Sequence, residues 1–274
     1  MDTKLIFLDI DGTLTEPGKN VPPDSALEAI RRARKNGHRV VLCSGRNRGM
    51  LSPLLSYGFD GFAASAGGHI EYGGQVLYDC PMTAEQQERV LSAFRGSGVF
   101  CTVEGLDRSY TDEDFKTFLR QHMGGNSEAL RWREQLESEL GIRPMAEFRG
   151  EPVYKVVFMC PERGRLPALE QRLGGEFAFC MQEPGQLGTV NGELINKQFN
   201  KGTAVRRLSG YAGIPLRDTI AFGDSMNDLE MLQTAGLGIC MGGGSPALRD
   251  AADEVCPPVG ADGLYRAFQS HNLI

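Results

Sequence analysis

The chain has 274 residues and a formal net charge of −6, with 41% hydrophobic and 23% charged residues. This length allows one large domain or two modest ones, each with its own core. The negative charge argues against nucleic acid or an anionic membrane surface as the main partner, and the chain lacks an apolar run of the roughly 18 residues that a membrane span needs. We therefore expect neither secretion nor insertion into a membrane.

The seven cysteines point to the same conclusion about compartment. None belongs to a C-x-x-C pair, and several lie inside apolar runs. This usage favours reduced, buried thiols in a cytoplasmic protein over a disulfide framework or a zinc site.

The first predicted element is a buried strand over Lys4–Asp9, which ends in Asp9-Ile10-Asp11-Gly12. Residues i and i+2 of a strand share a face, so both carboxylates are aimed at one spot. Two negative charges come together only with a cation or a proton between them, which predicts a divalent metal. The pair offers one carboxylate for nucleophilic work and one for acid–base work. By itself the D-x-D pattern also fits a metal-binding glycosyltransferase or a plain solvated turn.

A helix is predicted from Asp24, with Ser25 and Glu28 at the spacing of a capping box and Gly37 just past its end. The next buried strand is Arg39–Cys43, and a third is predicted over residues 59–64. Strand–helix–strand repetition at this spacing indicates βαβ units and a parallel sheet.

The pattern then changes. Residues 69–72 and 75–78, joined by Gly73-Gly74, are typical of a hairpin with a two-residue turn. Residues 81–188 form a predicted α+β insert of domain size. Its predicted helices are Ala84–Phe94, Asp112–Met123 and Glu128–Leu140, and its predicted strands are Val99–Glu104, Val153–Met159 and Phe177–Gln182.

After the insert the parallel pattern resumes. The predicted elements are a helix over Lys201–Tyr211, a strand over Asp218–Phe222, a helix over Asn227–Ala235 and a strand over Leu237–Met241. The sequence therefore predicts an α/β fold in which residues 1–80 and 189–274 form a Rossmann-like parallel sheet with helices on both faces. Residues 81–188 form the inserted domain.

Three further polar segments lie at strand ends or helix starts of the predicted sheet, where ligands of parallel sheets bind. Ser44-Gly45-Arg46 follows the second strand, and an arginine at such a place is most often a surface charge. Lys201 opens a helix, where a cation opposes the helix dipole and calls for a nearby anion. Asp224, Asn227 and Asp228 follow a buried strand, which fits a metal site or a helix cap.

Together these segments resemble, in order and spacing, the four-motif signature of the haloacid dehalogenase superfamily. Asn200-Lys201-Gly202-Thr203-Ala204 and Gly223-Asp224-Ser225-Met226-Asn227-Asp228 are similar to the third and fourth motifs of its Cof-like sugar phosphatase branch. The insert resembles that branch's type II cap by position and composition. One departure is Ala66-Gly67-Gly68, where the branch often carries Asn-Gly.

The resemblance implies a Mg²⁺-dependent phosphatase that works through an aspartyl-phosphate. Asp9 would be the nucleophile, and Asp11 would protonate the leaving alcohol and later deprotonate water. The metal would be held by Asp9, by Asp11 through its backbone carbonyl, and by Asp224.

The resemblance also implies a phosphate site. Ser44 and the Gly45 N–H would bind phosphoryl oxygens, and Lys201 would balance the charge of Asp9 and of the transferring group. Asn227 would contact phosphate or Lys201. Asp228 would either hold Lys201 from behind or cap a helix, and Arg46 is expected in the same supporting layer.

The implied partner is a small phosphorylated metabolite, which the cap would select. We expect a monomer or weak dimer that binds neither nucleic acid nor membrane. Two alternatives stay open: a phosphotransferase of the phosphohexomutase type, and a catalytically silent binding protein on the same fold. Release of free phosphate separates the first of these from a phosphatase.

Overall fold

A computed structural model describes residues 2–112, 114, 142–181 and 190–274. Contacts within the chain define two compact units. The core unit contains Met1–Arg46, Leu51–Asp79 and Phe199–Ile274, and the inserted unit contains Asn47–Met50 and Cys80–Gln198. The sequence assigned residues from 189 onward to the core. The inserted unit instead runs to Gln198, because the strand over residues 190–196 pairs inside the second sheet.

The elements of the described residues are numbered in chain order. The strands are β1 (Leu5–Leu8), β2 (Arg39–Cys43), β3 (Gly61–Ala64), β4 (His69–Tyr72), β5 (Gln75–Asp79), β6 (Phe100–Gly105), β7 (Ser109–Thr111), β8 (Ile142–Pro144), β9 (Val153–Cys160), β10 (Phe177–Met181), β11 (Val190–Asn196), β12 (Thr219–Gly223), β13 (Leu237–Met241) and β14 (Glu254–Cys256). The α-helices are α1 (Asp24–Lys35), α2 (Arg48–Leu55), α3 (Ala84–Phe94), α4 (Leu166–Leu173), α5 (Lys201–Ala212), α6 (Leu229–Thr234), α7 (Pro246–Ala251) and α8 (Gly263–Ser270). Among these helices, none combines the length and the apolar character needed to cross a membrane.

The core unit is built on one eight-stranded sheet in the order β14-β13-β12-β1-β2-β3-β4-β5. The pairs from β14 to β3 are parallel, and the β4–β5 hairpin adds an antiparallel edge. The predicted α/β class with a parallel sheet is therefore confirmed. Gly73 and Gly74 close the hairpin at φ 58° and 78°, values that suit glycine and that a type I′ turn requires.

Both faces of this sheet are covered by helices. On one face Ile6 and Leu8 join a buried cluster with residues of α1 and α8. On the other face Leu5 and Phe7 join a cluster with residues of α5 and α6. All four residues of β1 are thus buried, which explains why this strand is a continuous apolar run without alternation.

The start of α1 corrects one prediction. The residue before the helix is Pro23, and no side-chain capping bond is made there, so the capping box expected from Ser25 and Glu28 is absent. The helix begins two residues earlier than a Ser25 cap requires, and Glu28 pairs with Arg31. The predicted end is right, because Gly37 lies just past the helix at φ 92°.

The inserted unit is described by itself. Its six-stranded sheet has the order β10-β11-β9-β6-β7-β8, and every pair is antiparallel except β7–β8. Residues of α3 and α4 form one hydrophobic cluster with alternate residues of the strands. The sequence missed the short strands β7 and β8, the strand β11 and the helix α4. The helices predicted over Asp112–Met123 and Glu128–Leu140 lie outside the described residues, apart from positions 112 and 114.

Candidate active site

The polar segments singled out in the sequence follow three neighbouring strands of the core sheet. Leu8, the last residue of β1, lies opposite Leu42 of β2 and Phe222 of β12. The Asp9 backbone N–H donates to the Phe222 carbonyl at 3.0 Å, which continues the ladder by one step. Because all three strands run parallel, the loops after them lie together at the carboxyl ends of the strands.

Lys201, from the fourth polar segment, contacts acids at this end of the strands. Its side chain is only 1% exposed, and its Nζ donates to Asp9 Oδ1 at 2.7 Å and to Asp228 Oδ1 at 2.5 Å. Burial lowers the pKa of Lys201, but the two carboxylates outweigh it and hold that pKa well above its usual range. The anion that a cation at the first turn of a helix requires is therefore present twice.

The carboxylates around Lys201 carry more negative charge than one ammonium balances. Burial, followed by the charge of Asp228, raises the pKa of Asp9 to about 7. Burial, followed by the charges of Asp9 and Asp228, raises the pKa of Asp224 to about 9. Both pKa values rise because buried acids with like-charged neighbours are more stable when protonated. A divalent cation bound among them would lower both pKa values.

The cluster fits a divalent cation. Oxygens of Asp9, Asp224 and Asp228 lie within 4.8 Å of one another. Asp228 is already engaged, because Oδ1 accepts from Lys201 and Oδ2 accepts from the N–H groups of Asp224 and Ser225. Asp224 Oδ1 is buried and has no hydrogen-bond partner in the described part of the chain. An orphaned carboxylate oxygen beside a second carboxylate is what a hard cation would satisfy.

Gly12 lies against the acid cluster, a position that the sequence analysis did not single out. Its φ is 81°, and a Cβ at this position would lie 2.3 Å from Asp224 Oδ2. Any side chain here would push the Asp224 carboxylate out of its place. The signal was available in the glycine that directly follows the two aspartates.

Asp228 and Asn227 support Lys201 from the loop after β12. Asp228 caps the turn in a box with Ser225 while it also accepts from Lys201, so both contacts left open by the sequence exist together. Asn227 Oδ1 accepts from Ser225 Oγ at 2.8 Å and from Lys201 Nζ at 3.4 Å. The Lys201 contact of Asn227 is thus present.

Ser44 and Gly45 are buried directly after β2. Ser44 Oγ accepts a hydrogen bond from the Arg46 backbone N–H at 3.2 Å, and the Ser44 N–H donates to the Ala63 carbonyl. Because its oxygen acts as an acceptor here, the hydroxyl hydrogen of Ser44 can be donated to another group.

An arginine at such a place is usually exposed on the surface, but Arg46 is buried. It is 1% exposed, and Nε and Nη2 donate to Asp11 Oδ2 at 3.0 Å and Asp11 Oδ1 at 2.8 Å. The Asp11 carboxylate is therefore held by Arg46, and it is not among the described acids that cluster around Asp9 and Asp224. The sequence offered Arg46 as a surface charge or, through the resemblance, as a supporting residue. In the structure its side chain also donates to Asn20 Oδ1 and to the Lys19 carbonyl.

The turn after β3 is the place where the chain departs from the Asn-Gly pattern. Ser65 and Ala66 have φ values of 49° and 57°, a region that residues with a Cβ rarely adopt. Their N–H groups donate to the carbonyls of Arg46 and Ser44, at 2.8 and 2.9 Å. The backbone of this turn thus supports the loop after β2, and Ala66 offers no polar side chain there.

A family model described as haloacid dehalogenase-like hydrolase matches residues 6–268 of this chain. Among curated proteins, the chain is 26% identical over 279 residues to a putative phosphatase, YkrA, of Bacillus subtilis, with all of both chains covered. It is 28% identical over 252 residues to an HMP-PP phosphatase of Yersinia pestis, covering 90% of this chain and 86% of that protein.

Solved structures share the fold. A hypothetical protein of Geobacillus kaustophilus has a TM-score of 0.80 and 24% identity over 100% of both chains. A sugar phosphatase of haloacid dehalogenase subclass IIB has a TM-score of 0.79 and 22% identity, covering 99% of this chain and 100% of its own.

Proposed function

The chain belongs to the haloacid dehalogenase-like hydrolases, and from that premise we propose that it is a Mg²⁺-dependent phosphatase that cleaves a small phosphorylated metabolite through an aspartyl-phosphate. The membership confirms the family and the hydrolase class predicted from the sequence. Sugar phosphates are the proposed substrate class, which is supported by relatives and structural neighbours named as phosphatases, including one of sugars.

One observation carries the proposal: Asp9 binds a buried ammonium and belongs to the same cluster as a carboxylate with an orphaned oxygen. Lys201 binds Asp9 Oδ1 at 2.7 Å, and the buried Asp224 Oδ1 has no hydrogen-bond partner within the described ranges. An acid held this way is oriented by the ammonium and belongs to a group of oxygens that could hold a cation. That environment suits a carboxylate that must attack phosphorus without repelling its negative charge.

The residues that would hold Mg²⁺ are Asp9 and Asp224, with the Asp11 carbonyl. The ion would supply charge neutralisation between the acids and polarisation of the phosphoryl group. Lys201 would balance the remaining charge on Asp9 and on the transferring group. Asp228 keeps Lys201 in place, since it binds the ammonium with one oxygen and caps its own turn with the other.

Proton transfer and phosphate binding are assigned to the neighbouring loops. Asp11 would give its proton to the leaving oxygen and later take one from the attacking water. Ser44 would donate its hydroxyl hydrogen and Gly45 its N–H to phosphoryl oxygens, and Asn227 would orient Lys201. In this proposal the core unit is the catalytic domain and the inserted unit is the cap that selects the substrate.

The remaining parts of the proposal concern setting and partners. The seven cysteines are all free thiols, which supports a reducing, cytoplasmic compartment. The net charge of −6 supports a small metabolite as the partner in place of nucleic acid or membrane. The proposed oligomeric state is a monomer or weak dimer.

The proposal is tested by release of inorganic phosphate from a panel of phosphorylated sugars, polyols, nucleotides and cofactors. We expect turnover of at least one sugar phosphate with Mg²⁺, loss of turnover in EDTA, and recovery when Mg²⁺ is restored. Transfer of the phosphoryl group to a sugar without free phosphate would favour the phosphotransferase alternative. Binding without turnover across the panel would favour the silent binding protein.

A further inference from the structure

Arg46 makes a two-point ion pair with Asp11 inside the loop region of the candidate site. Its guanidinium is 1% exposed, and its Nε and Nη2 reach the two different oxygens of the Asp11 carboxylate. A planar guanidinium fork fixes the plane of the carboxylate as well as its position. A charge so far out of water persists only when it is paired and hydrogen-bonded, and each guanidinium nitrogen of Arg46 has a partner.

The pair is itself held by a short loop of the core unit. Arg46 Nη1 donates to Asn20 Oδ1 at 2.5 Å, and Nη2 also donates to the Lys19 carbonyl at 3.3 Å. The Gly18 N–H adds a third donor to Asp11, at 3.2 Å from Oδ1. The orientation of Asp11 is thus determined by Arg46, and that of Arg46 by the loop.

Two cations divide the acids of the D-x-D motif between them. Lys201 binds Asp9, and Arg46 binds Asp11. The Lys201 ammonium is a point charge that serves two acids at once, whereas the Arg46 fork takes one acid at both oxygens. The consequence is that the two aspartates of one motif stand in different environments. Asp9 belongs to the cation cluster and Asp11 does not.

We propose that Arg46 is a positioning residue that holds the Asp11 carboxylate out of metal coordination and in place for proton transfer, a role that rests on the function proposed above. An Asp9 oxygen bonds to phosphorus as the ester P–O bond breaks. The electron pair of the broken bond stays on the leaving oxygen, which takes the proton of Asp11. The resulting Asp11 carboxylate is stabilised by Arg46. It then accepts a proton from the water whose oxygen displaces Asp9 from phosphorus.

The chain contains a matched control. Arg34 makes the same two-point fork with Asp60, from Nε to Oδ2 at 3.0 Å and from Nη2 to Oδ1 at 3.1 Å. Asp60 directly precedes β3, whereas the residues of the candidate site follow the ends of parallel strands. This pair therefore lies at the opposite end of the strands from the candidate site. Arg34→Met therefore reports what the loss of a structural fork does to the enzyme.

The experiment compares two esters that differ in their need for a proton. p-Nitrophenolate leaves without protonation, whereas the alkoxide of a hexose 6-phosphate needs it. The quantity is kcat/KM, which covers the steps up to transfer onto Asp9, with kcat and KM also recorded separately. The proteins are full-length wild type, Arg46→Met, Arg46→Lys, Asn20→Ala, Asp11→Asn and Arg34→Met.

We expect Arg46→Met to lose on the order of 10- to 100-fold more kcat/KM on the alkyl ester than on the aryl ester. This is less than the roughly 10²- to 10⁴-fold of general acid catalysis, because Asp11 itself is retained. Arg46→Lys recovers part of the loss, because lysine restores the charge without the fork. Asn20→Ala shifts the ratio in the same direction by less, and it provides the readout if Arg46→Met does not fold. Arg34→Met leaves the ratio of the two esters unchanged.

Equal losses on both esters in the Arg46 variants, or no loss, would overturn the role of Arg46. If Asp11→Asn discriminates between the esters while the Arg46 and Asn20 variants do not, the role of Arg46 is wrong and the proposed function stands. If the wild type turns over neither these esters nor any member of the panel, the proposed function fails, and the role of Arg46 fails with it.

Discussion

Among the described residues, a lysine is buried between two carboxylates in each unit, yet the two lysines are placed very differently. In the core unit Lys201, 1% exposed, lies between Asp9 and Asp228. In the inserted unit Lys155, 0% exposed, lies between Glu193 and Glu104. The charges and the burial are alike, so neither of them by itself indicates which cluster does chemistry.

The difference lies in what carries the side chains. Lys155 and Glu104 are directly opposite one another on the antiparallel strands β9 and β6, and Glu193 comes from β11, the next strand over. The carboxylates of the Lys201 cluster follow the ends of parallel strands, and a third acid, Asp224, joins them. The Lys155 cluster is carried by paired strands, whereas the Lys201 cluster is surrounded by loops that can admit a ligand. From this difference we infer that the Lys155 cluster serves the fold and that the Lys201 cluster is the candidate site.

The largest expected effect compares one acid from each cluster. Asp9→Asn should lower phosphate release by more than about 10³-fold, because the nucleophile is lost while the fold remains. Glu104→Gln should keep kcat of the folded protein within about tenfold, since its partner Lys155 is assigned to the fold. Steady-state kinetics with circular dichroism checks both. Loss of turnover in folded Glu104→Gln would break the comparison.

The second effect is on stability. Lys155→Met should lower the free energy of unfolding by about 3–5 kcal/mol, because it leaves buried carboxylates without their cation. Lys197→Met, which removes an exposed lysine of the same unit, should change it by no more than about 1 kcal/mol. Urea unfolding measures both. Equal stabilities of the two variants would mean that the Lys155 cluster contributes nothing to the fold.

The third effect asks which cluster responds to metal. Mg²⁺ at one hundred times its Kd should stabilise the wild type by about 2.7 kcal/mol over the protein in EDTA. Asp224→Asn should lose this gain, because the orphaned oxygen is replaced by a neutral amide. Lys155→Met should keep it despite its lower stability. A gain retained in Asp224→Asn would place the cation elsewhere.

The smallest effect is the pH dependence of the protein in EDTA. The ordinary pKa of these acids is 3.8, and burial with like charges raises the pKa of Asp9 to about 7 and of Asp224 to about 9. Between pH 3.8 and these raised pKa values, the folded acids keep protons that the unfolded chain has lost. Stability therefore falls as the pH rises from about 4 to about 9.

Thermal unfolding from pH 4 to 9 in EDTA measures this fall, which we expect to amount to a few degrees. The readout is the difference between the wild type and Asp224→Asn, whose melting temperature should fall less, above all between pH 7 and 9. Asp60→Asn is the control, because its carboxylate lies outside the cluster. Parallel curves for the wild type and Asp224→Asn would contradict the crowding of acids around Lys201.

Much of the fold could be predicted from local patterns. The bounds of β2, α3 and β13 match the predictions, because each is a clear apolar or amphipathic run bounded by turn residues. The three-residue strands β7 and β8 were missed, since so short a segment carries no measurable alternation. The capping box at Ser25 was wrong because the same spacing occurs one residue inside a helix that starts at Asp24.

The candidate site divides in the same way. The sequence by itself determined which side chains carry charge and that they follow strands or open a helix, because residue type and periodicity are local properties. The family resemblance already implied Lys201 beside Asp9, and the structure has that contact. Only the tertiary structure decided two other pairings, Asp11 with a buried Arg46 and Glu104 with Lys155. Pairing depends on which strands are neighbours and which loops cover them, and that order follows from burying both faces of a sheet rather than from any single segment.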